Sequence, residues 1–79
     1  MLYDHTITGR IIREIREKKG LTQEVLSGLA AVSRSHLAEI ESGRTNANVA
    51  TLWRIAEALD MKLSDLIRIA EKTIEDRQS

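Results

Sequence analysis

The chain has 79 residues, 42% hydrophobic and 30% charged, and its 12 basic residues balance 12 acidic ones. This length predicts one small domain over residues 1–79, and the composition is too apolar for disorder. The lack of cysteine excludes disulfides, thiolate catalysis and Cys-ligated zinc. No apolar run could span a membrane and the first residues lack a signal-peptide pattern, so we expect a cytoplasmic protein.

Apolar residues recur at helical spacing along the whole chain, and no segment alternates as a strand would. The first predicted helix spans about His5–Lys19, and Gly20 is suited to end it. Thr22, Ser33 and Asn48 are predicted to cap the next three helices. The third helix is expected to end near Glu41, before Ser42 and a Gly43 suited to a left-handed conformation, and Ser64-Asp65 to open a fifth helix.

The same spacing predicts which side of each helix packs inward. Five short helices cannot each bury a face alone, so the prediction is an all-α bundle, with Trp53 in its core or semi-buried. The expected inner residues are Ile7, Ile11, Ile12 and Ile15, then Val25, Leu26 and Leu29, then Leu37 and Ile40, then Val49, Leu52, Trp53, Ile55, Ala56 and Leu59, and finally Leu66, Ala70 and Thr73 or Ile74.

The second and third predicted helices are the most informative part of the chain. They occupy about residues 22–41 and are joined by about three residues, the spacing of a helix-turn-helix. In that motif the first helix lies across the DNA backbone. The second enters the major groove with its N-terminal side chains on base edges.

Separated motifs then agree in order and spacing with a known family. They are Gly-Leu-Thr-Gln-Glu at 20–24, Val-Ser-Arg-Ser-His-Leu at 32–37, Ile-Glu-Ser-Gly-Arg at 40–44 and Leu-Trp-Arg-Ile-Ala-Glu-Ala-Leu-Asp at 52–60. Over roughly residues 9–68 the chain resembles the lambda-repressor-like, Cro/cI-type (XRE) family. The resemblance implies a compact five-helix bundle and a homodimeric, sequence-specific DNA-binding regulator.

The chain departs from the family pattern at two turns. Ala31 stands where the family usually has Gly, in the turn before the recognition helix, and Ala occupies a positive-φ position at some cost. Ala47 stands where the family often has Pro, so that loop is expected to be looser. Neither change removes a side chain that would face the groove.

The third helix carries the expected base contacts. Arg34 suits guanine because its planar fork meets O6 and N7 together, and Ser35 suits a base edge or a phosphate. Glu39 could accept a hydrogen bond from cytosine N4, orient Arg34, or repel the DNA backbone. Ser33 is a cap to which the resemblance adds a DNA contact, and His36 is a weaker candidate. The alternative for all of them is a solvated polar face.

Other residues are expected at the DNA backbone. The resemblance implies a phosphate contact for Gln23, at a helix N-terminus that favours anions; the alternative is an exposed side chain without a partner. Arg44, Thr45 and Asn46 follow the third helix in a polar loop expected beside the backbone, with Arg44 best suited to phosphate. The alternative is a merely solvated loop.

The resemblance also pairs Arg16 on the first helix with Glu41 at the end of the third. We expect a partly buried, bidentate ion pair that fixes the recognition helix. The alternative is two unrelated surface charges.

The fifth helix has more apolar residues than one inward face needs. Ile67 or Ile69 would be exposed in a monomer, with Met61 and Leu63 in the preceding loop. Such a patch marks a partner surface, so we expect residues 65–76 to support dimerisation. The alternative is scattered surface apolar residues, which are common.

The leading interpretation is a homodimeric transcriptional regulator on a palindromic double-stranded operator, similar to restriction–modification controller proteins and phage-type repressors. The short length is expected to leave no ligand-sensing domain. A helix-turn-helix antitoxin is the runner-up, and the neutral charge keeps open a module that binds an unidentified protein through the third helix. We expect no enzyme, cofactor or metal, because no nucleophile–base pair or metal-ligand cluster is recognisable.

Overall fold

The computed structural model describes the backbone of residues 2–78 and the side chains of residues 2–77. Met1 and Ser79, the ends of the predicted 1–79 domain, lie outside the described residues. The fold is all-α, as predicted, and no strand occurs between residues 2 and 78. Its helices are α1 (His5–Lys18), α2 (Gln23–Ala30), α3 (Arg34–Glu41), α4 (Val49–Ala58) and α5 (Leu63–Gln78).

The helix N-termini follow from side chains that accept hydrogen bonds from first-turn N–H groups. The predicted caps Thr22, Ser33 and Asn48 are confirmed, and Asp4 caps α1 in the same way. The bonds from Thr6 N to Asp4, Val25 N to Thr22, His36 N to Ser33 and Thr51 N to Asn48 measure 2.9, 3.1, 3.0 and 2.8 Å.

Helices α1 to α4 all end in a Schellman motif around a residue with positive φ. The residues are Gly20 (φ 72°), Ala31 (φ 56°), Gly43 (φ 81°) and Asp60 (φ 59°). At the end of α2, for example, Val32 N–H donates to the Ser27 carbonyl (3.0 Å) and Ala31 N–H to the Gly28 carbonyl (3.3 Å). Ala31 therefore adopts the left-handed conformation that the family pattern gives to glycine.

One hydrophobic core receives side chains from every helix. Helix α1 packs against α3 and α5, α2 against α3 and α4, and α4 against α5. This arrangement leaves one side of α2 and one side of α3 on the surface. The buried apolar residues are Ile7, Ile11, Ile12, Leu26, Ala30, Leu37, Ile40, Leu52, Ile55, Ala56, Leu59, Leu66, Ala70 and Ile74.

Four residues that were predicted to face the core lie on the surface, so the prediction is wrong for them. Val25 and Leu29 share the outer side of α2, and Leu29 is 63% exposed; Val49 and Trp53 share the outer side of α4, and Trp53 is 56% exposed. In α2 the inward side is formed by Leu26 with the small residues Ser27 and Ala30. A pattern weighted towards large apolar side chains therefore rotated the predicted face of α2 by about one residue, or 100°, and made the predicted face of α4 too wide.

Two helix boundaries also differ from the prediction. Helix α1 ends at Lys18 rather than Lys19, and α5 begins at Leu63 rather than at Ser64-Asp65. The Lys62 carbonyl accepts the N–H groups of Asp65 (3.0 Å) and Leu66 (3.2 Å), so Leu63 belongs to the helix and not to the preceding loop. No helix within residues 2–78 has the length and apolar character needed to cross a membrane.

Candidate nucleic-acid interface

The α2–turn–α3 unit is fixed from several directions. Its turn has three residues, 31–33, between the end of α2 and the start of α3. The left-handed Ala31 reverses the chain and the hydroxyl of Ser33 caps α3. From α4, Nε of Arg54 donates to the Ala30 carbonyl at 3.1 Å. That bond, which the sequence analysis missed, ties the last carbonyl of α2 to the bundle.

Helix α3 turns one polar side outward. Leu37 and Ile40 are buried in the core, whereas Arg34, Ser35 and Glu39 are exposed. Ser35 and Glu39 are one turn apart and share a strip of that surface. The structure thus brings these predicted base-contacting residues together on the outer face. His36 lies half-buried beside them.

A buried polar network joins α1, α2 and α3. Arg16 donates from Nε to Oε2 of Glu41 (2.8 Å) and from Nη2 to Oε1 (3.0 Å), so the predicted bidentate pair is present. The two side chains are only 10% and 1% exposed. Nη1 of Arg16 donates to the Leu21 carbonyl at 2.8 Å. The bond to Glu41 raises the pKa of Arg16 and keeps its guanidinium charged.

Gln23 joins this network. Its Nε2 donates to Oε1 of Glu41 at 3.1 Å, and the side chain is half-buried. The alternative of an exposed glutamine without a partner is therefore wrong. Sequence spacing gave no signal for this bond, because the two residues are 18 positions apart and on different helices.

The loop after α3 starts at the left-handed Gly43 and continues through the exposed Arg44 and Asn46, with Thr45 half-buried between them. Nε2 of His5, in the first turn of α1, lies 3.1 Å from the Gly43 carbonyl. A carbonyl only accepts, so His5 is the donor. His5 is 38 positions from its partner, so no local sequence pattern indicates this bond.

The arginines divide into two groups. Arg10, Arg13, Arg16, Arg68 and Arg77 each pair with a carboxylate, and Arg54 bonds a carbonyl. Among the side chains of residues 2–77, Arg34 and Arg44 are the arginines without such a bond. They also make no pair with Glu39, whose side chain the sequence analysis considered for orienting Arg34. Arg34 lies on α3 and Arg44 lies in the loop that follows it, so both side chains are available to a ligand.

A surface groove lies where α4 passes into α5. Trp53 lines it together with Met61 and Leu63, and its other lining residues are mostly charged: Glu57, Asp60, Lys62, Ser64 and Asp65. Ile69, 42% exposed, is one turn beyond Asp65 on α5, while Ile67 is half-buried. Trp53, expected in the core or semi-buried, is instead exposed and lines this groove with Met61 and Leu63 of the surface predicted for dimerisation.

This fold and site define a helix-turn-helix DNA-binding transcriptional regulator. The family model described as helix-turn-helix matches residues 12–66, and the chain belongs to that family, of the Cro/cI (XRE) type. An uncharacterized HTH-type transcriptional regulator, y4dJ, of Sinorhizobium fredii is 33% identical over 67 residues, covering 85% of this chain and 87% of the relative. Members of this family are transcriptional regulators that bind double-stranded DNA.

Two further kinds of relative are similar to this chain. The immunity repressor protein of Bacillus phage phi105 is 41% identical over 59 residues, which are 75% of this chain and 41% of the repressor. The solved restriction–modification controller protein C.AhdI from Aeromonas hydrophila has a TM-score of 0.77 and 34% identity, covering 82% of this chain and 98% of that one. The clp gene regulator ClgR from C. glutamicum has a TM-score of 0.82 and 26% identity, covering 92% and 95%.

Proposed function

We propose that the protein regulates transcription as a homodimer that binds a palindromic operator in the cytoplasm. In each subunit the outer side of α3 enters the major groove, where Arg34 reads a guanine and Ser35 and Glu39 contact neighbouring bases. Gln23 at the start of α2 and Arg44 after α3 hold phosphates on either side. Ser33, His36, Thr45 and Asn46 lie next to these contacts.

The observation that carries this proposal is the pairing of the arginines. The chain has no net charge, so overall attraction to DNA is weak and local cations must supply it. Most arginines are neutralised by a neighbouring carboxylate, whereas Arg34 and Arg44 have no partner within the described residues. Their position on α3 and its following loop is where a helix-turn-helix meets DNA.

The groove between α4 and α5 supports the homodimer. Trp53, Met61 and Leu63 offer an apolar centre, and the rim carries both Lys62 and acidic residues. A two-fold axis places the same surface on both sides, so Lys62 of one subunit can meet an acidic rim residue of the other. An apolar centre with a charged rim is the usual anatomy of a protein interface.

Among the kinds of regulator that the relatives represent, we favour a restriction–modification controller protein. The similarity to C.AhdI combines a TM-score of 0.77 with 34% identity, against 26% identity for the solved regulator ClgR. Control of a restriction–modification operon is the corresponding proposal for this chain.

Selection of bound sites from a pool of random duplexes tests the proposal. We expect an enriched palindrome whose half-sites lie about one helical turn, or roughly 34 Å, apart. Arg34→Ala carried through the same selection should lose the preference at one base pair of each half-site. Recovery of no enriched sequence by the wild-type protein, at low salt where phosphate contacts are strongest, would reject operator binding.

A further inference from the structure

We propose that Glu41 positions Gln23 for its phosphate contact, so that the buried Arg16–Glu41 pair acts in DNA binding as well as in stability. This inference rests on the proposed function, because it concerns how one backbone contact is made. Its basis is the 3.1 Å bond from Gln23 Nε2 to the same Glu41 oxygen that Arg16 Nη2 binds at 3.0 Å. Glu41 is thereby a positioning residue, and Gln23 is the residue that touches DNA.

The bond determines which way the Gln23 amide faces. A carboxylate only accepts hydrogen bonds, so the NH₂ group of Gln23 is the part that faces Glu41. One N–H is used there, and the second is left to donate to an anion. Gln23 is also the first residue of α2, where the backbone N–H groups favour an anion as well. Its long side chain is thus ordered before DNA arrives, which reduces the entropy lost on binding.

Arg16 neutralises the carboxylate of Glu41 next to the proposed phosphate contact. An unpaired Glu41 next to the phosphate backbone would repel it, but the bidentate pair cancels the charge within the protein. Arg16 also holds the Leu21 carbonyl at 2.8 Å, two residues before Gln23. The network therefore fixes both the side chain of Gln23 and the turn of backbone that leads into α2.

A double-mutant cycle on DNA binding tests the coupling. The pair is replaced by apolar side chains in Arg16→Met/Glu41→Leu, which removes both charges together and leaves neither unpaired. The ligand is the duplex selected from random DNA. With the native pair, Gln23→Ala should weaken binding roughly tenfold, as for a hydrogen bond to a charged group. In the apolar background we expect about a twofold effect or less, since an unpositioned glutamine contributes little.

Arg44→Ala is the matched control, because Arg44 has no bond to this network. Its loss should weaken binding by the same factor in both backgrounds, which separates positioning of Gln23 from a general change in docking. Equal effects of Gln23→Ala in the two backgrounds would overturn the proposal. An absence of any effect of Gln23→Ala in the native background would overturn it too, while wild-type binding to the selected duplex would still support the proposed function.

A second measurement uses the free wild-type protein and does not depend on whether the apolar variant folds. The heteronuclear NOE of the Gln23 side-chain amide reports its motion on the ps–ns timescale. We expect a value close to that of the rigid backbone, in contrast to the amide of the exposed Asn46. A Gln23 amide as mobile as that of Asn46 would overturn the proposal.

Discussion

Gly9 in α1 lies against the backbone of Ile40 in α3, so closely that a Cβ on Gly9 would be 1.9 Å from the Ile40 carbonyl oxygen. No side chain fits at that distance, and the obstacle is backbone that cannot rotate away. Further along α1, Arg16 pairs with Glu41 at the end of α3, and in the first turn of α1 His5 donates to the carbonyl of Gly43, just after α3. The C-terminal end of α3 is therefore held at three points along α1.

The first prediction concerns this close approach. Gly9→Ala should destabilise the protein by about 3 kcal/mol, the upper end of the range for overpacking, because α1 and α3 must separate to admit the methyl group. Gly28→Ala is the matched control: Gly28 is also helical, and a Cβ there meets nothing within 4 Å. That substitution should stabilise by up to about 1 kcal/mol through helix propensity. Urea unfolding of both variants checks the contrast, and similar midpoints would contradict it.

How much the sequence could predict depends on the range of the interaction. The caps Thr22, Ser33 and Asn48 and the stop at Gly20 depend on neighbouring residues, and the structure confirms them. No prediction was made for Gly9, because the contact that excludes a Cβ at this position comes from a helix about thirty residues away in the sequence. From the sequence alone, a single glycine in a helix indicates only low helix propensity, because the helix that packs against it is not known.

The same limit applies to the candidate site. The outward residues of α3 followed from the inward Leu37 and Ile40, and the Arg16–Glu41 pair followed from resemblance to a family. Trp53 was misassigned because a single large apolar residue at helical spacing is usually core. In the structure it is 56% exposed and lines the groove between α4 and α5. The sequence located the helices, but it did not show how helices distant in the chain pack against one another.

The second prediction concerns the turn before the recognition helix. Ala31 has φ 56°, so Ala31→Gly should stabilise by roughly 0.5–1 kcal/mol, the relief of a left-handed alanine less the entropy of a freer unfolded chain. Thermal melts should show a midpoint several degrees higher. An unchanged or lower midpoint would mean that the turn carries no strain.

The reverse substitutions at the other helix ends serve as controls. Gly20→Ala meets nothing within 4 Å, so it should show the same balance in reverse, a net cost of about 0.5–1 kcal/mol. Gly43→Ala should cost more, because its Cβ would also lie 2.9 Å from Cγ2 of Thr6. An equal loss for these two glycines would argue against the contact with Thr6.

The third prediction concerns the buried ion pair. Glu41→Gln leaves the charge of Arg16 without its partner and should cost roughly 3–5 kcal/mol, a large share of the stability of so small a domain. Glu17→Gln is the control, because Glu17 pairs with Arg13 at 3.5 Å on the exposed side of α1 and should cost under about 1 kcal/mol. Denaturant titrations compare them. A loss at Glu41 as small as that at Glu17 would exclude a structural role for the pair.

The fourth prediction separates base readout from phosphate contact. Arg34→Ala should lose roughly 1–3 kcal/mol of discrimination at one base pair, as a bidentate guanine contact disappears. Arg44→Ala should instead weaken binding about equally on all sequences and lower the slope of affinity against salt by about 1. Titrations of selected and mismatched duplexes at several salt concentrations distinguish the two. A uniform loss from Arg34→Ala would reassign Arg34 to the backbone.

The last prediction concerns the dimer, for which Trp53 is a built-in probe because it is the sole tryptophan and lines the groove between α4 and α5. Association through this groove should move its fluorescence emission to shorter wavelength as protein concentration rises. Ile69→Glu should abolish that shift, since Ile69 extends the apolar surface along α5 and a two-fold interface would bury two new carboxylates. The variant should fold, because Ile69 is 42% exposed.

Its control is Leu29→Glu, an equally drastic change at an exposed residue of α2 outside the groove, which should leave self-association intact. Circular dichroism of both variants verifies that the helices form. Ile69→Glu should also bind the selected palindrome much more weakly than the wild-type protein does, because one domain then has to hold its half-site alone. Sedimentation that finds the wild-type protein monomeric across micromolar concentrations, and bound one-to-one to operator DNA, would contradict the dimer. Unchanged emission from Trp53 in a protein that does dimerise would move the interface away from this groove.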